Sequence, residues 1–534
     1  MGRAATRMMK KHKPARRSSQ TRAHDNRWLL VFLAVQLVLS VLLFDPKPDT
    51  GGDNAMYLAL AKSMVEQGRY AELQDPAEPA HTQYPPGFPA LLALVHVVAG
   101  GTSVLGAKLV VMLCGLGMVF FLYRITGRLF PDRHRLVMAG MMSLPAFAVA
   151  SHQVLTEMPF LCLSMAALWF LLRTERGKSG DHWAAMVLVV VAFMFRTAGI
   201  ALVLGTGLFL GVRRKWRYLG LFAALFLAAF VPWQLRNSAV GQTRSYLDMF
   251  FAKHPYIAEY GRMGVGDFLG RVWQNLVSYV TIVVPEAMLP LFKLVKQEFL
   301  LGAAGVLLSL AVIAGFLRRA KKRTALEAYG FFAVLVLLAW PALWAGERFL
   351  VPLLPLAVIY LFFAVQGLEK RLGRKWLFPV VTGVLVLANA VSFARLAAGN
   401  VRHNVQYLEG DRLAGYPADW RRYFKVIEWL DGNVADDAVV LARKPEFVYL
   451  LAGNKSVCYP FTDDRAKVQQ AIDRSDYILF DNFQWTETTR YFLNPAIQLD
   501  PDRYPILIET DAPQFYLLRV LGPGVGGQGP GAEG

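Results

Sequence analysis

Apolar runs recur along this chain with short basic blocks between them, and they decide what it can fold into. Eleven fall at about 28–44, 103–123, 135–150, 159–173, 183–195, 198–212, 218–235, 299–317, 325–345, 349–367 and 377–397. Most come within reach of the roughly 17 to 25 residues that cross a bilayer. Hydrocarbon offers no water to backbone N–H and C=O groups, so each run must close its hydrogen bonds as a helix. With 534 residues and 55% hydrophobic content, the chain is too apolar for an ordinary soluble enzyme. A polytopic α-helical membrane protein of about 11 spans is the expected class.

Lys and Arg number 57 against 39 Asp and Glu, a net charge of +18. Such an excess would suit nucleic acid in a soluble protein, but here the cations cluster between apolar runs, which is a topological pattern and argues against a nucleic-acid partner. Residues 1–27 carry nine Lys/Arg and one acid and read as a cytoplasmic tail before an uncleaved first span. If 183–212 makes two spans, then "PDRHR", "RTERGK", "RRKWR", "RRAKKR" and "EKRLGRK" share the cytoplasmic side; one span would invert every later loop. The outer side then receives loop 45–102, the turn "SHQVLTE", "RTAG", loop 236–298, "GER" and everything after about 397. Cys114, Cys162 and Cys458 imply neither a disulfide framework nor a cysteine zinc site.

In the first outer loop, Gly51-Gly52 precede a helical stretch with Met56, Leu60 and Met64 on one face, a pattern suited to the membrane surface. Pro85, Pro86 and Pro89 then stiffen a turn before a second apolar helix. Residues 398–521 change character. "YPADWRRYFKVIEWLDGNV" reads as a helix, and "DAVVLARKP", "SDYILFDN" and "QFYLLRVLG" as strands, so a small outer α/β domain is expected, with 522–534 as a flexible end. No internal repeat is visible, which removes solenoids.

Polar groups beside spans are functional candidates by default. Asp49 and Asp53 follow the first span, His152 and Glu157 the third, Arg196 the fifth, Arg236 and Asn237 the seventh, and Glu347 and Arg348 the ninth. Each has a bland alternative: Asp53 as a helix cap, His152 as an interface histidine, the arginines as snorkelling cations. Their gathering at one set of span ends suits a membrane-surface site for an anionic lipid, with arginine for phosphate and carboxylates for an incoming hydroxyl or a divalent metal. Tyr57 and Tyr84 of the first loop are further candidates for substrate contact.

In order, "GGDNAMYLALAKSM", "YPPGFPALLAL", "LTEMPF", "FRTAGIAL", "PWQLRN" and "GERFLVPLLPL" resemble the membrane glycosyltransferases of the GT-C fold. Within these the chain is most similar to bacterial relatives of protein O-mannosyltransferases and of the lipid A aminoarabinose transferase. The resemblance covers residues 28–397. It implies transfer of a hexose or pentose from a polyprenyl (undecaprenyl) phosphate donor to a lipid, glycan or protein acceptor on the periplasmic face of a bacterial inner membrane, generally with inversion.

The resemblance further implies that Asp53 is the catalytic base or acceptor-orienting carboxylate, that Glu157 is the second acidic position, and that Arg348 holds the lipid phosphate, with Arg196 and Arg236 as lesser candidates. Glu157, with His152 beside it, would orient Asp53 or the acceptor, or complete a weak Mg or Mn site with Asp53. Asp53-Asn54 departs from the Asp-Glu pair of many protein mannosyltransferases, and Gln83-Tyr84 from the lysine that many aminoarabinose transferases carry there. A transporter or flippase for a lipid-linked sugar is the alternative; it would need polar groups at mid-span or on both sides.

Overall fold

The computed structural model describes residues 19–174, 179–241, 246–291 and 298–522. Residues 1–18 of the expected basic tail lie outside the described residues, while 19–27, expected to precede the first span, already belong to the first helix; the flexible end over 522–534, but for 522, and most of "RTERGK" also lie outside the described residues.

Helix α1 (Ser19–Leu42) stops before Pro46 and Pro48, because proline cannot donate and bars the helical backbone of its predecessor. Carbonyls released at its end, on Leu42 and Phe44, accept from the side-chain amides of Asn400 and Asn404 at 2.7–3.1 Å. In the first loop, α2 (Asn54–Glu66) and α3 (Gly87–Ala99) pack together. The sequence placed α2 on the membrane surface; the structure buries it instead, with Ala59 and Leu60 fully enclosed. Small and apolar residues run around most of α2, so it can be covered on two sides.

Next come α4 (Val104–Leu129), α5 (His134–Met142) and α6 (Pro145–Ala150). The single span expected at 135–150 is thus two short helices. Pro145 holds Leu144 in extended backbone at φ −70° and ψ 115°, which ends the helix before it. After α7 (Glu157–Arg173), the run 183–212 is a helix pair, α8 (Ser179–Phe195) and α9 (Ile200–Val212). Arg196 between them is extended, at φ −153° and ψ 125°.

Helix α10 (Trp216–Ala239) leads into the second long loop, with α11 (Tyr246–Phe251), α12 (Val265–Ser278) and α13 (Val284–Met288). On α12, Arg271 and Asn275 are buried while Val265, Leu269 and Trp273 are exposed, a face suited to lipid.

The bundle closes with α14 (Glu298–Ala320), α15 (Ala325–Ala339), α16 (Glu347–Leu350), α17 (Leu354–Leu372) and α18 (Leu377–Leu408). Helix α15 ends at Ala339 rather than near 345 because Pro341 follows. Helices α14 and α17 approach so closely at Gly315 that any side chain there would run into the Tyr360 carbonyl. Residues 398–408, expected outside the spans, continue α18, which meets no proline in that stretch. Among the described residues five helical segments are long and apolar enough to cross a membrane and five more are apolar over 10–17 residues; the chain is a multi-pass membrane protein.

The tail alternates α19 (Ala418–Leu430), β1 (Val439–Ala442), α20 (Pro445–Ala452), β2 (Lys455–Val457), α21 (Arg465–Ile472), β3 (Tyr477–Phe480), α22 (Asn494–Ile497), β4 (Ile506–Glu509) and β5 (Tyr516–Arg519). Sheet order is β2-β1-β3-β5-β4, parallel across the first three and antiparallel beyond. Strands read from the sequence are the three central ones, β1, β3 and β5. Of the edge strands, β2 is only three residues, Lys-Ser-Val, and carries no apolar run; β4 does carry one, Ile506-Leu507-Ile508, and the sequence reading passed over it. The β2 edge is covered: Ser456 N–H donates to the Gln74 carbonyl of the first loop at 2.7 Å, and Lys455 reaches Glu78 at 2.7 Å.

Candidate functional site

A cavity of about 850 Å³ opens between the helix bundle and the tail. One wall carries Asp53, Tyr57, Tyr84, Thr156, Arg196 and Arg348. Asp53 stands at the N-cap of α2, yet its carboxylate makes no cap bond; it faces Arg348 Nη2 at 3.4 Å through Oδ2. The bland reading of Asp53 as a helix cap therefore does not describe its side chain. Gly52 makes this approach possible. Its φ is +73°, and a β-carbon there would lie 2.5 Å from Arg348 Nη1, so only glycine satisfies both backbone and space.

Glu157 opens α7 but lies behind the cavity wall rather than on it. Its Oε1 accepts from Arg348 Nε and from Arg196 Nη1, the latter at 2.9 Å. Arg196 also donates to Thr156 Oγ1 at 2.7 Å, and both guanidiniums lie over the Phe349 ring, at 5.2 and 5.8 Å. One buried carboxylate thus fixes two forked cations whose remaining N–H groups are available to the cavity. The extended backbone at Arg196, where α8 gives way to α9, is what delivers that side chain to the site.

Tyr57 and Tyr84 meet at 5.1 Å between rings. Burial, with the Asp53 charge behind it, holds both hydroxyls well above the usual tyrosine range, so they remain neutral donors. Tyr84 is set by its own loop: its N–H donates to His81 Nε2 at 2.9 Å, which leaves Nδ1 of that ring to bond Glu72 at 2.8 Å.

Two of the residues expected at the site are elsewhere. Arg236 binds the first loop from outside the cavity, donating to the carbonyls of Tyr70, at 2.9 Å, and His81. It is a clamp on the loop, since the two carbonyls lie on opposite arms of a hairpin that the His81 N–H closes on the Tyr70 carbonyl at 2.9 Å. His152 is buried against Phe44, is not part of the cavity lining, and neither ring nitrogen finds a partner. Burial, aided by Lys108, brings its pKa down to about 4, so the ring is neutral at ordinary pH. His152→Leu is accordingly expected to keep activity within about twofold, since no hydrogen bond is lost; a tenfold fall in turnover would return His152 to the site.

Asp49 is structural in its contacts. It accepts from Lys108 Nζ and from the Val154 N–H, each at 2.9 Å, tying the first loop to α4 and to the turn before α7.

Among the described residues no group of three or more His, Cys, Asp or Glu is placed to hold a metal ion. Asp53 and Glu157 each already face arginine, a donor set that does not fit a divalent cation. Sequence reading missed the rest of the cavity: Tyr246, Trp340 and Trp344 from the bundle, and Arg443, Lys444 and Trp485 from the tail. Nothing in "ARKP" or "NFQWTETT" marks them, because their partners are remote in sequence.

Residues 83–235 match the sequence profile of the family described as dolichyl-phosphate-mannose-protein mannosyltransferase. No curated protein matches the chain in sequence. Among solved structures, the fold is shared with ArnT from Cupriavidus metallidurans in the apo state, at TM-score 0.54 and 15% identity over 94% of this chain and 100% of that one. It is shared equally with the same protein bound to undecaprenyl phosphate, at TM-score 0.53 and 15% identity over 93% and 99% of the two chains.

Proposed function

We propose that the protein transfers a hexose or pentose from a polyprenyl-phosphate donor to an envelope acceptor on the periplasmic face, inverting the anomeric centre. The observation that carries this reading is that Asp53, Arg348 and Arg196 share one cavity wall at the ends of the helices, with Glu157 pairing both arginines from behind it. The mannosyltransferase-family match and the fold shared with an undecaprenyl-phosphate-bound transferase support it.

The donor phosphate takes up the free N–H groups of Arg348 and Arg196, which bind it by charge-assisted, forked hydrogen bonds. The Asp53 contact to Arg348, at 3.4 Å, is long, and the phosphate displaces it. That leaves the carboxylate facing the acceptor. The acceptor hydroxyl attacks the anomeric carbon as the bond to the phosphate oxygen breaks, and Asp53 takes the hydroxyl proton as the oxygen acidifies. A carboxylate is a weak base toward a free alcohol, but as a late acceptor it contributes typically 10²- to 10⁴-fold. The leaving phosphate needs charge stabilisation and no acid, and the two arginines provide it. Glu157 acts through them as a positioning residue.

The test is mass spectrometry of envelope lipids and glycans from cells with and without the gene. Loss of one hexose or pentose addition is expected; an unchanged profile with impaired flipping of labelled lipid would favour the flippase. In the purified protein, Arg348→Gln is expected to weaken undecaprenyl phosphate binding about tenfold, and an unchanged affinity would remove Arg348 from the phosphate site.

A further inference from the structure

The end of the bundle away from the cavity carries a second surface. Helix α9 starts near Arg196 of the cavity wall and runs to Val212, while α15 runs from Ala325 to Ala339, next to Trp340 of that wall. The loops at their other ends, 213–215 and 321–324, therefore lie on the opposite face. The two helices pack side by side, and Arg213 Nη2 donates to the Lys322 carbonyl at 3.0 Å, which joins the loops. Arg214, Lys215 and Arg217 on one side and Lys321, Lys322 and Arg323 on the other are exposed. Among the described residues none of these six has a carboxylate within 4.0 Å. Glu327, at the start of α15, is already held by Arg319 Nε at 3.1 Å and by the Thr324 N–H at 2.9 Å.

Three features separate this surface from ordinary solvated charge. With 13 and 15 residues, α9 and α15 rise only about 20 and 23 Å, short of the roughly 30 Å of bilayer hydrocarbon. Their far ends thus meet the opposite leaflet at its headgroups, and Trp216, 65% exposed beside the cations, is a residue type that settles there. Arg217 stands in the first turn of α10, where a cation opposes the helix dipole and an anion is favoured. Backbone is the third feature. Arg214 and Arg323 have φ of +54° and +49°, and Arg214 fills the left-handed position after α9 where glycine is usual, with the Lys215 N–H closing on the Leu210 carbonyl at 2.9 Å. Each loop keeps a guanidinium where glycine would sit without strain.

We propose that the two joined loops bind an anionic phospholipid of the leaflet opposite the cavity, its headgroup held by Arg214 and Arg323 with the flanking lysines. Guanidinium forks match phosphate oxygens by paired, charge-assisted hydrogen bonds, and each further cation at the surface adds attraction to an anionic headgroup. Acyl chains then cover the exposed Val212 and Leu317 near the ends of α9 and α14, apolar surface that a soluble anion would leave bare.

The test is native mass spectrometry and thermal unfolding of the purified full chain in neutral detergent, titrated with cardiolipin or with phosphatidylcholine. Cardiolipin should bind about tenfold more tightly than phosphatidylcholine and raise the unfolding temperature. The double variant Arg214→Gly, Arg323→Gly should lose about tenfold in cardiolipin affinity. Its unfolding temperature without lipid should be no lower, since glycine takes the left-handed backbone freely. Removing two exposed cations elsewhere on the same face, Arg374→Gln and Lys375→Gln in the loop between α17 and α18, should leave cardiolipin binding unchanged. Equal binding of both lipids, or undiminished cardiolipin binding by the glycine variant, would overturn the inference. So would an equal loss in the Arg374, Lys375 variant, which would mean that net charge alone attracts the lipid.

Discussion

Replacing Asp53 with asparagine is expected to lower sugar transfer about 10²- to 10⁴-fold, roughly 3–5 kcal/mol of barrier. Undecaprenyl phosphate should still bind within about twofold. Asparagine keeps the shape and the start of α2, since the wild-type carboxylate makes no cap bond. It loses the ability to accept the acceptor's proton. It also loses one ion-pair partner of Arg348, but that contact is long at 3.4 Å, and Glu157 holds the same guanidinium from behind. Single-turnover transfer and lipid binding, measured on one preparation, separate these effects. Full activity in the variant would remove Asp53 from the chemistry; parallel loss of activity and lipid binding would make it a structural residue.

Glu157→Gln is the second large effect. Its carboxylate is 4% exposed at the side chain and faces Arg196, whose side chain is 10% exposed, and Arg348 at 30%. Removing one member of a buried ion pair typically costs about 3–5 kcal/mol, because the remaining charge stays buried without compensation. Water access to Arg348 screens part of that loss, so the lower end of the range is expected. Thermal unfolding in detergent should shift downward, and kcat should fall because the two guanidinium forks lose their common anchor. An unchanged unfolding temperature together with unchanged kcat would show that Glu157 positions nothing. Reduced kcat in a protein of unchanged stability would show that the carboxylate orients the arginines without contributing to the folded state.

Much of this organisation is legible along the sequence. The fold resemblance stated from the ordered motifs is borne out by the mannosyltransferase-family match and the shared fold. The helix pair at 183–212 followed from charge, because one span fewer would have put every later basic block on the wrong side. Strands β1, β3 and β5 were visible as apolar runs since each is central in the sheet. Errors have a common origin. A run such as 135–150 is apolar throughout, so composition cannot show that Pro145 divides it. Helix α2 was assigned to the membrane surface because the tail that helps bury it lies hundreds of residues further on.

The sequence by itself determined that the chain is a multi-pass helical membrane protein and which polar residues fall at the ends of its spans. Both depend on local composition and on the energetic penalty of charge in hydrocarbon. Only the tertiary structure decided which of those residues meet. Asp53, Glu157, Arg196 and Arg348 converge because the N-terminal starts of α2, α7 and α16 and the α8–α9 break meet at one place. Arg236 and His152, equally polar and equally near span ends, are turned toward loop backbone and toward Phe44. Such differences are set by side-chain direction and by contacts between segments remote along the chain, which no local pattern of residues encodes. The same holds for Arg443, Lys444 and Trp485, which become part of the cavity only once the tail is folded over it.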